Sequence, residues 1–140
     1  MNIRLFQPED YDKVFQLWKE VFPENTDSSY SRKDVERFLE RNPETSFVAL
    51  DENENIIGAV LAGHDGRRGY IYHLGIREGF RSSGIGKKLV QAALDVFGRL
   101  GIRKAQLSVF DSNVSAKEFY KKLGFKVRTE LNVLTVDILK

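Results

Sequence analysis

A mixed sheet with helices covering its faces, in the α+β or α/β class, is the fold this sequence predicts. Three observations predict it. The apolar period switches repeatedly between two and about 3.6, in the order β-α-α-β-β-β-α-β-α-β-β. Residues 70–76, YIYHLGI, are nearly all apolar, as in a central strand buried on both faces. A basic glycine loop, RSSGIG at 81–86, separates that strand from an amphipathic helix. The length of 140 residues fits one domain over 1–140.

The elements follow in order. Residues 2–6 alternate polar and apolar and read as a strand. Pro8 sits where a helix begins, and Glu9, Asp10 and Asp12 favour that N-terminus. Tyr11, Val14, Phe15, Trp18 and Val21 keep helical spacing, giving a helix over 9–21. Residues 22–31 form a polar loop. Ser31 reads as the N-cap of a second helix with the stripe Val35, Phe38 and Leu39, ended at Asn42-Pro43. Residues 46–50 and 56–62 form a hairpin around DENEN. HDGRRG at 64–69 is a turn before the 70–76 strand. Ile85, Leu89, Ala93, Val96 and Leu100 mark a third helix, stopped at Gly101. A strand over 104–110, a helix over 113–123 capped by Asn113 and Gly124, and closing strands over 125–128 and 133–139 complete the chain.

Composition narrows the function. There is no cysteine, which excludes disulfides, thiolate metal sites and a Cys nucleophile. His64 and His73 lie near no acidic cluster, so no metal is expected. The net charge of +2 is dispersed, unlike the concentrated basic face of a nucleic-acid binder. No apolar run reaches membrane-spanning length, and MNIRLFQPED is neither signal nor transit peptide, so a cytoplasmic location without membrane contact is expected.

The glycine loop carries the clearest chemistry. Gly84 and Gly86 let an anion approach the backbone, and the following helix start favours negative charge. Arg81, Lys87 and Lys88 add positive charge, and Ser82 and Ser83 bring hydroxyls. The loop is neither a Walker A motif nor a dinucleotide fingerprint. A plain phosphate or nucleotide binder stays open at this point, as does a simple strand-to-helix turn.

Arg81 to Gly86 satisfies R-x-x-G-x-G, and in this it resembles the GNAT N-acetyltransferases. Asn113 to Phe125 resembles the same family's N-x-x-A-x-x-x-Y-x-x-x-G-F segment, through Asn113, Ala116, Tyr120, Gly124 and Phe125. The resemblance covers essentially the whole chain. It implies a GNAT fold, with a mostly antiparallel six- to seven-stranded sheet and about four helices. It implies acetyl-CoA as co-substrate, its pyrophosphate held by Arg81, Ser82, Ser83, Gly84, Ile85, Gly86 and Lys87. The main chain of Leu74, Gly75 and Ile76 would hydrogen-bond the pantetheine arm, as an added strand does. Ile76 N–H would polarise the thioester carbonyl, and Asn113 would contact the cofactor besides capping its helix.

The implied reaction is direct attack of a primary amine on the thioester. Such an amine has a pKa near 10.4, so its proton must be removed. The resemblance makes Tyr120 the donor to the departing CoA thiolate, and a core aromatic is the plainer reading. Some members place a Glu eleven residues before the motif; here that position is Tyr70. His73 is the nearest base-like group. Strict alternation sets His73 with Ile71 and Gly75, opposite Tyr72 and Leu74, unless a bulge of the kind frequent in that strand intervenes. His64, Phe22, Tyr30, Asp65 and Tyr72 are candidates for the acceptor side. The missing Glu leaves a second reading, a CoA-binding or sensory domain without transfer activity. The family often dimerises, so a homodimer is possible.

Overall fold

The structure, a computed structural model, describes residues 1–24 and 28–139. The middle of the polar loop read over 22–31 therefore lies outside the described residues. The chain divides into two compact units, Met1–Ser108 and Val109–Lys140.

The first unit is a five-stranded sheet in chain order, β1 (Asn2–Leu5), β2 (Phe47–Leu50), β3 (Ile56–His64), β4 (Arg68–Ile76) and β5 (Lys104–Leu107). The first four strands pair antiparallel, and β5 joins β4 in parallel. Its helices are α1 (Tyr11–Val21), α2 (Arg32–Arg41) and α3 (Ile85–Arg99). A short 3-10 turn at Pro8–Asp10 precedes α1. Ser31 caps α2 by accepting the Asp34 N–H at 3.4 Å, as its sequence position predicts.

Each helix is held by an apolar stripe. Val14, Leu17 and Trp18 of α1 and Val35 and Leu39 of α2 pack with Val48, Ala59 and Leu61 on one sheet face. A fully buried side chain such as Leu17 contributes roughly 2–3 kcal/mol relative to exposure. On the other face α3 comes close at Gly58, where an added Cβ would lie 3.0 to 3.3 Å from Ile76, Leu89 and Ile85.

Asp10 anchors the entry to α1. Its carboxylate takes a two-pronged bond from Arg4 at 2.7 and 2.9 Å and the Gln7 N–H at 2.8 Å. Burial alone would raise its pKa, but the Arg4 bond and the Gln7 N–H hold it below the ordinary 3.8. The unfolded carboxyl therefore binds protons more readily than the folded one. The contribution is complete at neutral pH and is lost as acidification passes 3.8 toward the lower folded value. Asp10→Ala should cost about 2 kcal/mol in urea unfolding at pH 7, because it leaves Arg4 and the Gln7 N–H without their acceptor. The loss should shrink below pH 4; a variant as stable as wild type at pH 7 would refute this anchor.

A bulge interrupts the β3–β4 ladder. Leu61 pairs with His73 and Ala62 with Ile71, leaving Tyr72 as the extra residue. The alternation expected from sequence therefore fails here. Tyr70, Tyr72 and His73 all present their rings to the face covered by α1 and α2, beside Phe38, Trp18 and Phe22.

The second unit contains α4 (Val114–Lys122). The strands expected over 125–128 and 133–139 are not formed, so the sheet has five strands rather than six or seven. Phe125 packs its ring against Tyr120 instead, at 5.4 Å. Leu134, Val136 and Ile138 keep a period-two spacing but stay exposed. Alternation specifies a strand only where a neighbouring edge supplies hydrogen bonds and a core takes one face.

Candidate active site

Strand β4 has two differently used halves. Arg68 to Ile71 pair with Lys104 to Leu107 of β5. From Tyr72 to Ile76 the strand keeps β3 on one side, and among the described residues no strand pairs with its other edge. Arg77 N–H donates to Ile57 O at 2.8 Å, toward β3. Backbone groups alternate in direction along a strand, so Ile76 and Leu74 turn theirs outward, to the open edge. Ile76 O confirms this phase by accepting Arg81 Nε at 3.2 Å. Gly75 turns its backbone groups toward β3, and a Cβ added to it would lie 3.3 Å from Phe22 and 3.6 Å from Trp18.

The glycine loop follows at once. Gly84 is the N-cap of α3 with φ of +84°, a left-handed conformation that glycine adopts without strain. No atom lies within 4 Å of where its Cβ would stand. Lys88 N–H makes the first helical bond, to Gly84 O at 3.1 Å. The N–H groups of Gly84, Ile85, Gly86 and Lys87 therefore have no protein acceptor among the described residues. They form the positive end of a 15-residue helix. The two serines of the loop differ in use. Ser83 donates its hydroxyl to Phe80 O and is spent on the turn. Among the described residues the Ser82 hydroxyl makes no bond to protein.

His73 sits in a ring cluster. Its imidazole centroid is 4.2 Å from Phe22, 4.4 Å from Tyr30 and 5.1 Å from Trp18. Trp18 carries a buried Nε1–H with no acceptor among the described residues. Tyr72, half exposed, stacks on Tyr70 at 4.5 Å and meets Phe38 at 5.4 Å with the two ring planes nearly perpendicular. Burial, with Tyr70 and Asp65 nearby, raises the Tyr72 hydroxyl above its ordinary value. Two acceptor-side candidates, Phe22 and Tyr30, thus meet at His73. Asp65 is engaged elsewhere: the Arg68 and Arg67 N–H groups, then the Arg67 side chain, bring its pKa to about 2. His64 accepts the Gly66 N–H and serves the turn. Trp18 and Phe38 are legible in the sequence only as apolar residues of their helices, and Tyr70 only as the residue at the position of the missing Glu.

In the second unit, Asn113 caps α4 by accepting the Ala116 N–H at 3.1 Å. Tyr120 is half-buried between Phe119 and Phe125, at 4.9 and 5.4 Å. Burial pushes its hydroxyl up to about 12. Among the described residues it has no hydrogen-bond partner. No group of three or more His, Cys, Asp or Glu that could hold a metal occurs among the described residues. No described helix is long and apolar enough to cross a membrane.

A profile of the Acetyltransferase (GNAT) family matches residues 11–125. This chain belongs to the GNAT acetyltransferase family. The matched span includes β4, the glycine loop, Asn113 and Tyr120 of the GNAT chain. It is 33% identical over 129 residues to an acetyltransferase of Pectobacterium atrosepticum, covering 90% of this chain and 88% of that one. Two solved GNAT structures share its fold. Ard1 from Thermoplasma volcanium aligns with a TM-score of 0.81 at 24% identity, over 91% of this chain and 84% of that one. The PaiA N-acetyltransferase of Thermoplasma acidophilum, in complex with coenzyme A, aligns with 0.78 at 20% identity, over 91% and 92%.

Proposed function

We propose that residues 1–140 act as one N-acetyltransferase domain that transfers an acetyl group from acetyl-CoA to a primary amine within a ternary complex. One observation carries the reading: the open β4 edge leads directly into the unbonded N–H groups of Gly84 to Lys87. An edge offering alternate backbone groups suits the amides of pantetheine, and a helix N-terminus suits a diphosphate. Leu74, Gly75 and Ile76 line the arm, and Arg81, Ser82, Ser83, Gly84, Ile85, Gly86 and Lys87 hold the pyrophosphate. Within that set Arg81 and Ser83 also brace the loop itself.

In the reaction the neutral amine nitrogen attacks the thioester carbonyl carbon. The C–S bond breaks, nitrogen loses a proton and the CoA thiolate gains one, leaving an amide and a free thiol. Ile76 N–H, on the open edge, stabilises the developing oxyanion. His73, on the face beside the bulge, receives the amine proton directly or through water. Tyr120, whose hydroxyl at about 12 stays protonated at neutral pH, donates to the sulfur. Asn113, besides its cap, contacts the cofactor.

A second reading, a CoA-binding domain without transfer, is favoured by one observation: Tyr70 stands where some members carry a Glu, and its ring is stacked on Tyr72. Melting with acetyl-CoA, CoA and ATP tests the shared cofactor claim. Stabilisation should grow with the concentration of either CoA form, by about 2.7 kcal/mol at a hundredfold excess over Kd, and not with ATP. No response to either CoA form would sink both readings. CoA release with an amine panel then separates them.

A further inference from the structure

We propose that the acceptor of this enzyme is a monoamine on an aromatic or flat apolar scaffold, docked on the wall formed by Phe38, Tyr70 and Tyr72. The proposal rests on the acetyltransferase reading and adds the substrate class. Three observations point to it. First, Tyr70 and Tyr72, two apart in β4, share a face to which the bulge adds His73, and the two tyrosine rings stack at 4.5 Å and 27°. Phe38 closes a corner at 84° to Tyr72, which stays 48% exposed. A half-exposed ring with one face stacked offers a further ring an offset or edge-on contact along the surface left open.

Second, the wall begins where the sheet opens. Tyr72 is the first β4 residue beyond the β5 ladder, so an amine on this wall stands beside the edge assigned to the cofactor arm. Third, the charges disfavour a polycation. Among the carboxylates of α1, α2 and the 65–67 turn, only Glu40 lacks an arginine partner. Glu40 lies two residues beyond Phe38, and positions two apart on a helix do not share a face. Arg67 and Arg68 flank the start of the wall strand. An acceptor with several ammonium groups would meet paired carboxylates and repelling guanidinium groups. A monoamine with an apolar body would bury that body on the rings.

The same wall bears on the missing Glu. Apolar surroundings disfavour the charged form of an amine and lower its pKa. An amine seated against Tyr70 and Tyr72 therefore loses its proton more readily, and His73 or a water need only accept it.

The test uses the full chain saturated with acetyl-CoA and three probes: 2-phenylethylamine, spermidine and kanamycin. CoA release gives kcat/KM for each. Trp18, the single tryptophan, stands in the ring cluster beside Tyr72 and gives a binding readout independent of turnover. 2-Phenylethylamine should show the highest kcat/KM and should change Trp18 fluorescence. Tyr72→Ala should raise its KM about tenfold with the acetyl-CoA KM unchanged, and Tyr72→Phe should retain the wild-type KM. A higher kcat/KM for spermidine or kanamycin would overturn the proposal. So would a Tyr72→Ala variant with unaltered KM, or neither binding nor turnover of 2-phenylethylamine. Saturable binding without transfer to any probe would support the wall while overturning the enzymatic reading on which the amine's fate depends.

Discussion

Replacing Gly84 by Asp is expected to weaken CoA binding by at least about 100-fold while leaving the fold intact. The reasoning separates two roles of one glycine. Its φ of +84° is left-handed, and Asn and Asp tolerate that region better than other side chains. The space at its Cβ is open, so neither side chain clashes with the protein. Asn and Asp have nearly the same shape and differ in charge. At about 5 Å and an effective dielectric near 20, two like charges repel by about 3 kcal/mol, or roughly two orders of magnitude in affinity. Gly84→Asn should therefore lose only about tenfold, and Gly84→Asp should fall far below it. The gap should narrow in high salt. Isothermal titration with CoA reads all three proteins. Equal affinities for the Asn and Asp variants would mean that this loop does not hold the pyrophosphate.

Tyr120→Phe should lower kcat by about 100-fold with acetyl-CoA affinity within about threefold of wild type, the range expected when one proton donor is removed. The folded protein should tolerate the change. The hydroxyl has no hydrogen-bond partner among the described residues, so its loss strands no donor or acceptor there. Phe keeps the ring contacts to Phe119 and Phe125. With its pKa raised to about 12, the phenol remains protonated through the usual assay range. The rate should therefore show no alkaline fall from this group until the pH approaches 12. Steady-state kinetics together with a CoA titration decide the point. A kcat near that of wild type would remove Tyr120 from the proton-donor role.

Local chemistry was the legible part of this sequence. Ser31 and Asn113 cap the helices they were expected to cap, because the accepting oxygen and the donated N–H lie three residues apart. Gly101 and Gly124 take positive φ beyond helix ends for the same local reason. The glycine loop was recognisable because every part of it lies within seven residues, Arg81 to Lys87. Pairing information is different. The extra residue at Tyr72 is defined only by what faces it across β3, and nothing within 70–76 marks it. The ring cluster at His73 joins residues from three separate segments. The bond between Arg4 and Asp10 links a strand to a helix entry, where Asp10 had looked like simple dipole compensation. The apolar spacing over 125–128 and 133–139 suggests strands that do not form there, because alternation records a preference and not the presence of a partner.

The position of the bulge has a consequence for traffic through the site. A molecule laid along the open side of β4 approaches in the plane of the sheet. A molecule resting on Tyr70 and Tyr72 approaches perpendicular to that plane. The two routes meet at one point, beside Tyr72, and share no path to it. For the ternary complex proposed above, binding of the two substrates in either order is therefore the expected result, checked by product-inhibition kinetics.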